Sequence, residues 1–203
     1  MKKNKFEAII FDLGQVVIDV QPSIEYWSEI MGVNATEFGE NFLLSGTYHA
    51  FEKGLISPAK FRDDIRNFYK IKFSAKEFDR GWNEILIKLV DGIDELITNL
   101  KDQYRLVVLS NTNEIHIPVF EKRFRTTMEK FEKKFYSCRI QARKPEQKAF
   151  TIVLDYLQIE SEKILFLDDK PENIEQAGKS GIRGIVVENF KQMKEELVKL
   201  GVI

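Results

Sequence analysis

AIIFDLG, residues 8–14, decides how this chain is read: a short apolar run leads straight into an aspartate, and a glycine follows two residues later. Apolar runs of this length without alternation fit strands buried on both faces. Working outward, LVVLS at 106–110, ILFL at 164–167 and GIVV at 184–187 have the same character, and KFYSC at 134–138 is a weaker fifth. Helical stretches lie between them at 92–101, 148–157 and 173–179. Strand and helix in this alternation predict an α/β domain on a doubly wound parallel sheet.

Composition narrows the field of functions. The chain has 203 residues, 43% hydrophobic and 31% charged, which is ordinary globular composition and enough for a real core. Its 31 Lys plus Arg against 32 Asp plus Glu leave a net charge of -1, without the basic excess that gripping a phosphate backbone needs. Nucleic acid is therefore not an expected partner. Cys138 stands alone and cannot form an intramolecular disulfide, and no apolar run nears the roughly 20 residues that span a bilayer. The basic start is followed by an apolar stretch that Asp12 cuts too early for a signal peptide. The expectation is a soluble, cytoplasmic protein with no membrane partner; the oligomeric state is left open.

One interval breaks the alternation. Residues 18–87 contain no convincing buried strand and read as amphipathic helices punctuated by Gly32, Gly46, Gly54 and Pro58. This insertion carries half of the chain's aromatics, among them Trp27, Phe42, Tyr48, Phe51, Phe61 and Trp82, enough for a small core of its own. The expected division is therefore a core of 1–17 with 88–203 and an α-helical cap of 18–87.

In a doubly wound sheet, ligands bind beyond the carboxyl ends of the strands. The residues at those ends are polar: Asp12 after the first run, Ser110, Asn111 and Thr112 at the second, Asp168 and Asp169 after ILFL, with Lys144 in the loop QARKPEQ. Three carboxylates on one edge would repel one another unless a cation sat among them, and hard oxygen ligands suit Mg²⁺. Mg²⁺ with a lysine and a hydroxyl is the equipment of phosphoryl chemistry, where negative charge is spread over equatorial oxygens.

FDLGQVVIDV, VVLSNTN, ARKPEQ and FLDDKPEN stand in the order and spacing of the four motifs of the haloacid dehalogenase (HAD) superfamily, and the chain resembles that family over nearly its whole length. The interval 18–87 resembles the family's inserted helical cap. Within the family the chain looks most like bacterial sugar-phosphate phosphatases with a DLGNV-type first motif, such as the α-D-glucose-1-phosphate phosphatase group, a placement that SNTNEIH and FEKGLIS support. The resemblance implies a Rossmann-like core and a Mg²⁺-dependent phosphatase of small phosphorylated metabolites. Asp12 would be the nucleophile, passing through an aspartyl-phosphate. Ser110 would hold a phosphoryl oxygen, assisted by backbone or amide donors of Asn111, and Lys144 would neutralise nucleophile and phosphate. Asp169 would bind the metal beside Asp12 and the carbonyl of Gly14, while Asp168 would act through a metal-bound water or fix Lys144, and Asn173 would steady the loop.

Position 14 departs from the family pattern. Most phosphatases of the family carry there a second aspartate that protonates the leaving group, an effect typically worth about 10²–10⁴-fold; this chain has Gly14. A good leaving group, such as that of a sugar 1-phosphate, fits this defect. Gln15 can orient water but cannot titrate, and Asp19 and His49 are candidate substitutes. His49 and Glu52 fall in SGTYHAFEKG, which the family comparison places near the pocket, as substrate contacts or as ordinary helix residues. His116 reads as a satisfied polar residue, Arg143 and the basic stretch 122–134 as solvated charge, and Cys138 as a small buried hydrophobe. Two other functions compete: an L-2-haloacid dehalogenase, which explains Gly14 but not Asp168 and Asp169, and a non-catalytic phosphate-binding or regulatory module.

Overall fold

The computed structural model describes residues 5–21 and 45–203; Trp27, Gly32 and Phe42 lie outside these residues. Along the chain run β1 (Ala8–Phe11), β2 (Ile18–Val20), α1 (Gly46–Glu52), α2 (Pro58–Tyr69), α3 (Ala75–Asn83) and β3 (Leu86–Leu89). There follow α4 (Ile93–Leu100), β4 (Arg105–Ser110), α5 (Ile117–Arg123), α6 (Arg125–Met128), β5 (Lys133–Tyr136) and α7 (Ser137–Ile140). The remainder comprises α8 (Gln147–Leu157), β6 (Ile164–Asp168), α9 (Pro171–Lys179), β7 (Arg183–Val186) and α10 (Phe190–Lys199).

Five strands form one parallel sheet in the order β5-β4-β1-β6-β7, so the predicted doubly wound α/β fold is the one observed. All four residues of β1 are buried, and alternate ones enter different cores. Ile9 and Phe11 join Leu106, Val108, Leu165 and Leu167 on the face covered by α4 and α10, with Ile97 and Leu197. Ala8 and Ile10 join Val107, Leu109 and Phe166 on the face covered by α8 and α9, with Phe150 and Ala177. An apolar residue at every position is what a strand between two helical layers requires. The strand runs predicted from sequence match to within a residue or two, except that the fifth run ends earlier: Ser137 and Cys138 open the short helix α7.

The insertion differs from its expectation at both ends. Ile18–Val20 and Leu86–Leu89 are strands, paired antiparallel, and Ile18 and Leu86 are buried in the sheet's own core. Three- and four-residue strands whose partners stand more than sixty positions apart leave no local periodicity to read. Between them the described residues are helical as expected. Each helix starts behind a serine: Ser45, Ser57 and Ser74 accept from the backbone N–H of Tyr48, Lys60 and Glu77, and Glu77 completes a capping box. Phe51, Phe61, Ile65, Phe78 and Trp82 form a separate small core, to which Ile115 reaches from the sheet side.

The basic stretch is not one solvated face. Lys130 pairs with Asp94 and Lys134 with Glu121, Arg123 donates to the carbonyls of Leu86 and Ile87, and β5 begins at Lys133. Among the described residues no helix is long and apolar enough to cross a membrane.

Candidate active site

The parallel register brings the polar strand ends together. Phe11 lies level with Val108 and with Leu167, and the backbone N–H of Asp12 bonds to the Leu167 carbonyl at 2.9 Å, so Asp12, Ser110 and Asp168 emerge at one edge. They open into a cavity of about 570 Å³ that Gly14, Gln15, His49, Glu52, Asn111, Lys144 and Asp169 also line. Of the residues singled out in the sequence as site residues or substitute acids, all line this cavity except Asp168, which is wholly buried, and Asp19.

Lys144 is the hub. Only 2% exposed, its ammonium lies 2.8 Å from Asp12 Oδ1 and 2.5 Å from Asp168 Oδ2. Burial would lower its pKa, but the charges of Asp12 and Asp168 outweigh that and hold it above the usual value. Asp12 Oδ1 also accepts from the backbone N–H of Leu13 at 2.7 Å. Burial pushes Asp12 up to about 6, with Lys144 pulling it down and Asp168 and Asp169 raising it further. Burial, then Asp168, likewise raises Asp169.

Three bonds occupy the Asp168 carboxylate. Its Oδ1 accepts from the backbone N–H of Lys170 at 2.9 Å and from the Asn173 amide at 2.8 Å, while Oδ2 takes Lys144. Of the two roles the resemblance allowed it, the bonds support holding Lys144, and Asn173 braces Asp168 from α9. Asn111 lines the cavity, with its side chain engaged by a neighbouring backbone. Its Nδ2 donates to the Lys144 carbonyl at 2.9 Å and its Oδ1 accepts from the Lys144 N–H at 2.8 Å, so its side chain fixes the Lys144 backbone. Asp12, Asp168 and Asp169 each offer an oxygen within 4.8 Å of the others, a hard-ligand set with excess negative charge that suits a divalent cation.

The cap closes the cavity from the other side. Arg143, expected to be solvated, instead reaches Glu52 of α1, with Nε at 3.0 Å and Nη2 at 2.8 Å from the same Glu52 oxygen. Glu52 is 4% exposed and is held by this pair; burial and Glu52 together keep the Tyr48 phenol well above its usual pKa. Lys53 pairs with Glu146 beside it. Gly54 passes so close to the sheet domain that a Cβ there would stand 2.0 Å from the Cys138 carbonyl oxygen. Across the cavity His116 stacks on Trp82 at 5.7 Å and bonds through Nδ1 to Asn83 at 2.9 Å; burial drops its pKa to about 3, so it is neutral. Sequence reasoning missed Arg143 and the His116–Asn83 pair, because no spacing ties an arginine to a glutamate ninety positions earlier.

Gln15, exposed and with φ 58°, donates its amide to the Val20 carbonyl and lines the cavity. Asp19 is not among the residues that line this cavity; it lines an adjoining cleft with Lys88 and Asp91, which shares Gln15 and Asp169 with it. At Gly14 the φ is not in the left-handed region, and a Cβ would meet Val20 Cγ2 at an ordinary 3.8 Å. The backbone does not demand glycine there.

Residues 9–187 match the family of haloacid dehalogenase-like hydrolases. The chain is 22% identical to the D-ribitol-5-phosphate phosphatase of Bacteroides thetaiotaomicron over 93% of this chain and 95% of that protein. It is 24% identical to the phosphorylated carbohydrates phosphatase of Thermotoga maritima over 88% of this chain and 83% of that one. A solved HAD family enzyme from Bacteroides thetaiotaomicron is 31% identical, with a TM-score of 0.84 over 93% of this chain and 96% of its own, and that enzyme is also known in complex with magnesium and inorganic phosphate. With family motifs, sheet order and strand-end carboxylates all in agreement, the chain belongs to the haloacid dehalogenase-like hydrolase family.

Proposed function

We propose that this protein is a Mg²⁺-dependent phosphatase of small phosphomonoesters, sugar and polyol phosphates foremost, that works through an aspartyl-phosphate on Asp12. The observation that carries this reading is the arrangement around Asp12: one carboxylate oxygen is pinned by Lys144 and the Leu13 N–H, and the carboxylate faces a cavity large enough for a small metabolite. The sugar and polyol phosphatases among the relatives support the substrate class.

Asp12 attacks phosphorus, the P–O bond to the alcohol breaks, and the phosphoryl group rests on the carboxylate until water attacks it and releases inorganic phosphate. Lys144, held by Asp168 and by the Asn111 clasp on its backbone, balances charge on Asp12 and on the incoming phosphate without having to move. The Ser110 hydroxyl, at the end of β4 and on the lining of the cavity, holds a phosphoryl oxygen. Asp12 and Asp169, with the Gly14 carbonyl, would hold Mg²⁺, which screens the carboxylates and the phosphoryl oxygens. The cap helices roof the cavity and exclude water that is not positioned to react.

The test is phosphate release from p-nitrophenyl phosphate and a panel of sugar, polyol and nucleotide monophosphates, with Mg²⁺ or with EDTA, beside Asp12→Ala. Turnover that needs Mg²⁺ and falls on the order of 10⁴-fold or more in the variant is expected. Turnover that survives in Asp12→Ala, or none on any ester, defeats the proposal.

A further inference from the structure

Gly14 leaves the reaction without the carboxyl group that the family uses to protonate the departing alcohol, and the room around it shows that glycine is not there for backbone reasons. A replacement must line the same cavity and both give and take a proton near neutral pH, which is the property of imidazole. Two histidines line the cavity. His116 is ruled out: stacked on Trp82 and tied to Asn83, it is kept neutral by burial. Tyr48 and Glu52 are committed to each other and to Arg143.

His49 is placed differently. It is half-buried, and among the described residues its ring makes no hydrogen bond or ion pair, only a tilted contact with Tyr48 at 6.3 Å. It stands three positions before Glu52 on α1, hence on the helix face that Glu52 turns toward Arg143 and the sheet domain. Phe51, stacked on Phe61 at 3.9 Å within the cap core, and the Glu52–Arg143 pair hold that helix in place.

Resting on the phosphatase reading above, we propose that His49 is the acid–base residue of the reaction, delivered from the cap to do what position 14 cannot. As the P–O bond breaks, the His49 imidazolium gives its proton to the leaving alkoxide oxygen. The neutral ring then takes a proton from the water that attacks the aspartyl-phosphate, which restores the imidazolium. No further reactant is needed. The closing of the cap thus becomes part of the chemistry as well as of exclusion of water.

The experiment compares kcat/KM of the parent and of His49→Gln on two esters, because kcat/KM reports phosphoryl transfer to Asp12 and not the later hydrolysis. Ribitol 5-phosphate leaves as an alkoxide that needs a proton; p-nitrophenyl phosphate leaves as a stable phenolate that does not. The variant is expected to lose about 10²–10⁴-fold on ribitol 5-phosphate and less than about tenfold on p-nitrophenyl phosphate. Adding Gly14→Asp to His49→Gln is expected to recover at least about tenfold on ribitol 5-phosphate, which a merely structural defect would not allow. An equal loss on both esters, or no loss on either, overturns the proposal. A parent enzyme that hydrolyses neither ester fails the phosphatase reading instead.

Discussion

The sheet edge and the cap meet at one cavity, yet they are held by different forces. At the sheet edge, Asp12, Lys144 and Asp168 are locked by ion pairs and by bonds from Leu13, Lys170, Asn173 and Asn111, all supported by strands buried on both faces. The described cap helices hold together through one small, mostly aromatic cluster and the Arg62–Asp79 ion pair, and touch the sheet domain through seams such as Glu52 with Arg143, Lys53 with Glu146, His116 with Asn83, and Gly54 against Cys138. The contrast assigns the roles. The groups proposed to bind and attack the phosphoryl group sit where packing and charge over-determine them, while the proposed proton donor His49 sits on an element that can be displaced at modest cost.

Breaking the rigid side should have the largest effect. Lys144→Met leaves Asp12 and Asp168 facing each other without their buried cation, so a stability loss of about 3–5 kcal/mol and abolished turnover are expected, read by urea unfolding and the phosphate-release assay. Breaking the cap should be more local. Phe61→Ala removes the ring on which Phe51, Phe78 and Trp82 pack, at a cost of about 3 kcal/mol or more, and hydrogen exchange should rise in α1, α2 and α3 while β1, β4 and β6 stay protected. Loss of protection throughout the sheet as well would show that cap and core unfold as one unit.

The seam itself responds to acid. His116 titrates near 3 in the folded protein, below the ordinary imidazole value of about 6.5, so the unfolded chain takes up the proton first. Its contribution to stability is whole above pH 6.5 and is lost as pH falls toward 3, by up to about 1.4 kcal/mol per pH unit. Urea midpoints of the parent and of His116→Gln at pH 7, 6 and 5 should converge as pH falls; parallel curves would mean that the ring is protonated without penalty.

Much of the rigid side was legible in the sequence. Runs such as AIIF and ILFL mark strands that bury both faces, and the polar residues directly behind them had to appear at one edge once the sheet was parallel. The cavity does bring Asp12, Ser110, Lys144 and Asp169 together. What the Asn111 side chain bonds to was not legible, because whether an amide meets a ligand or a neighbouring backbone depends on a loop thirty-three positions away. The ribbon of β2 and β3 was missed for the same reason: its pairing is remote in sequence, and its strands are too short to show a period.

What the sequence determined by itself is therefore the sheet, its chemical edge, the capped helices of the insertion and the missing carboxyl group at Gly14, since each is written in local patterns of polarity, capping and residue identity. The tertiary structure alone decided which charges pair across the seam, that Arg143 serves Glu52, and that Asp19 lines an adjoining cleft while His49 lines the cavity itself. Those outcomes depend on distances between segments far apart in the chain, and burial makes each pairing compulsory, because an unpaired charge in those places would cost more than the fold could offset.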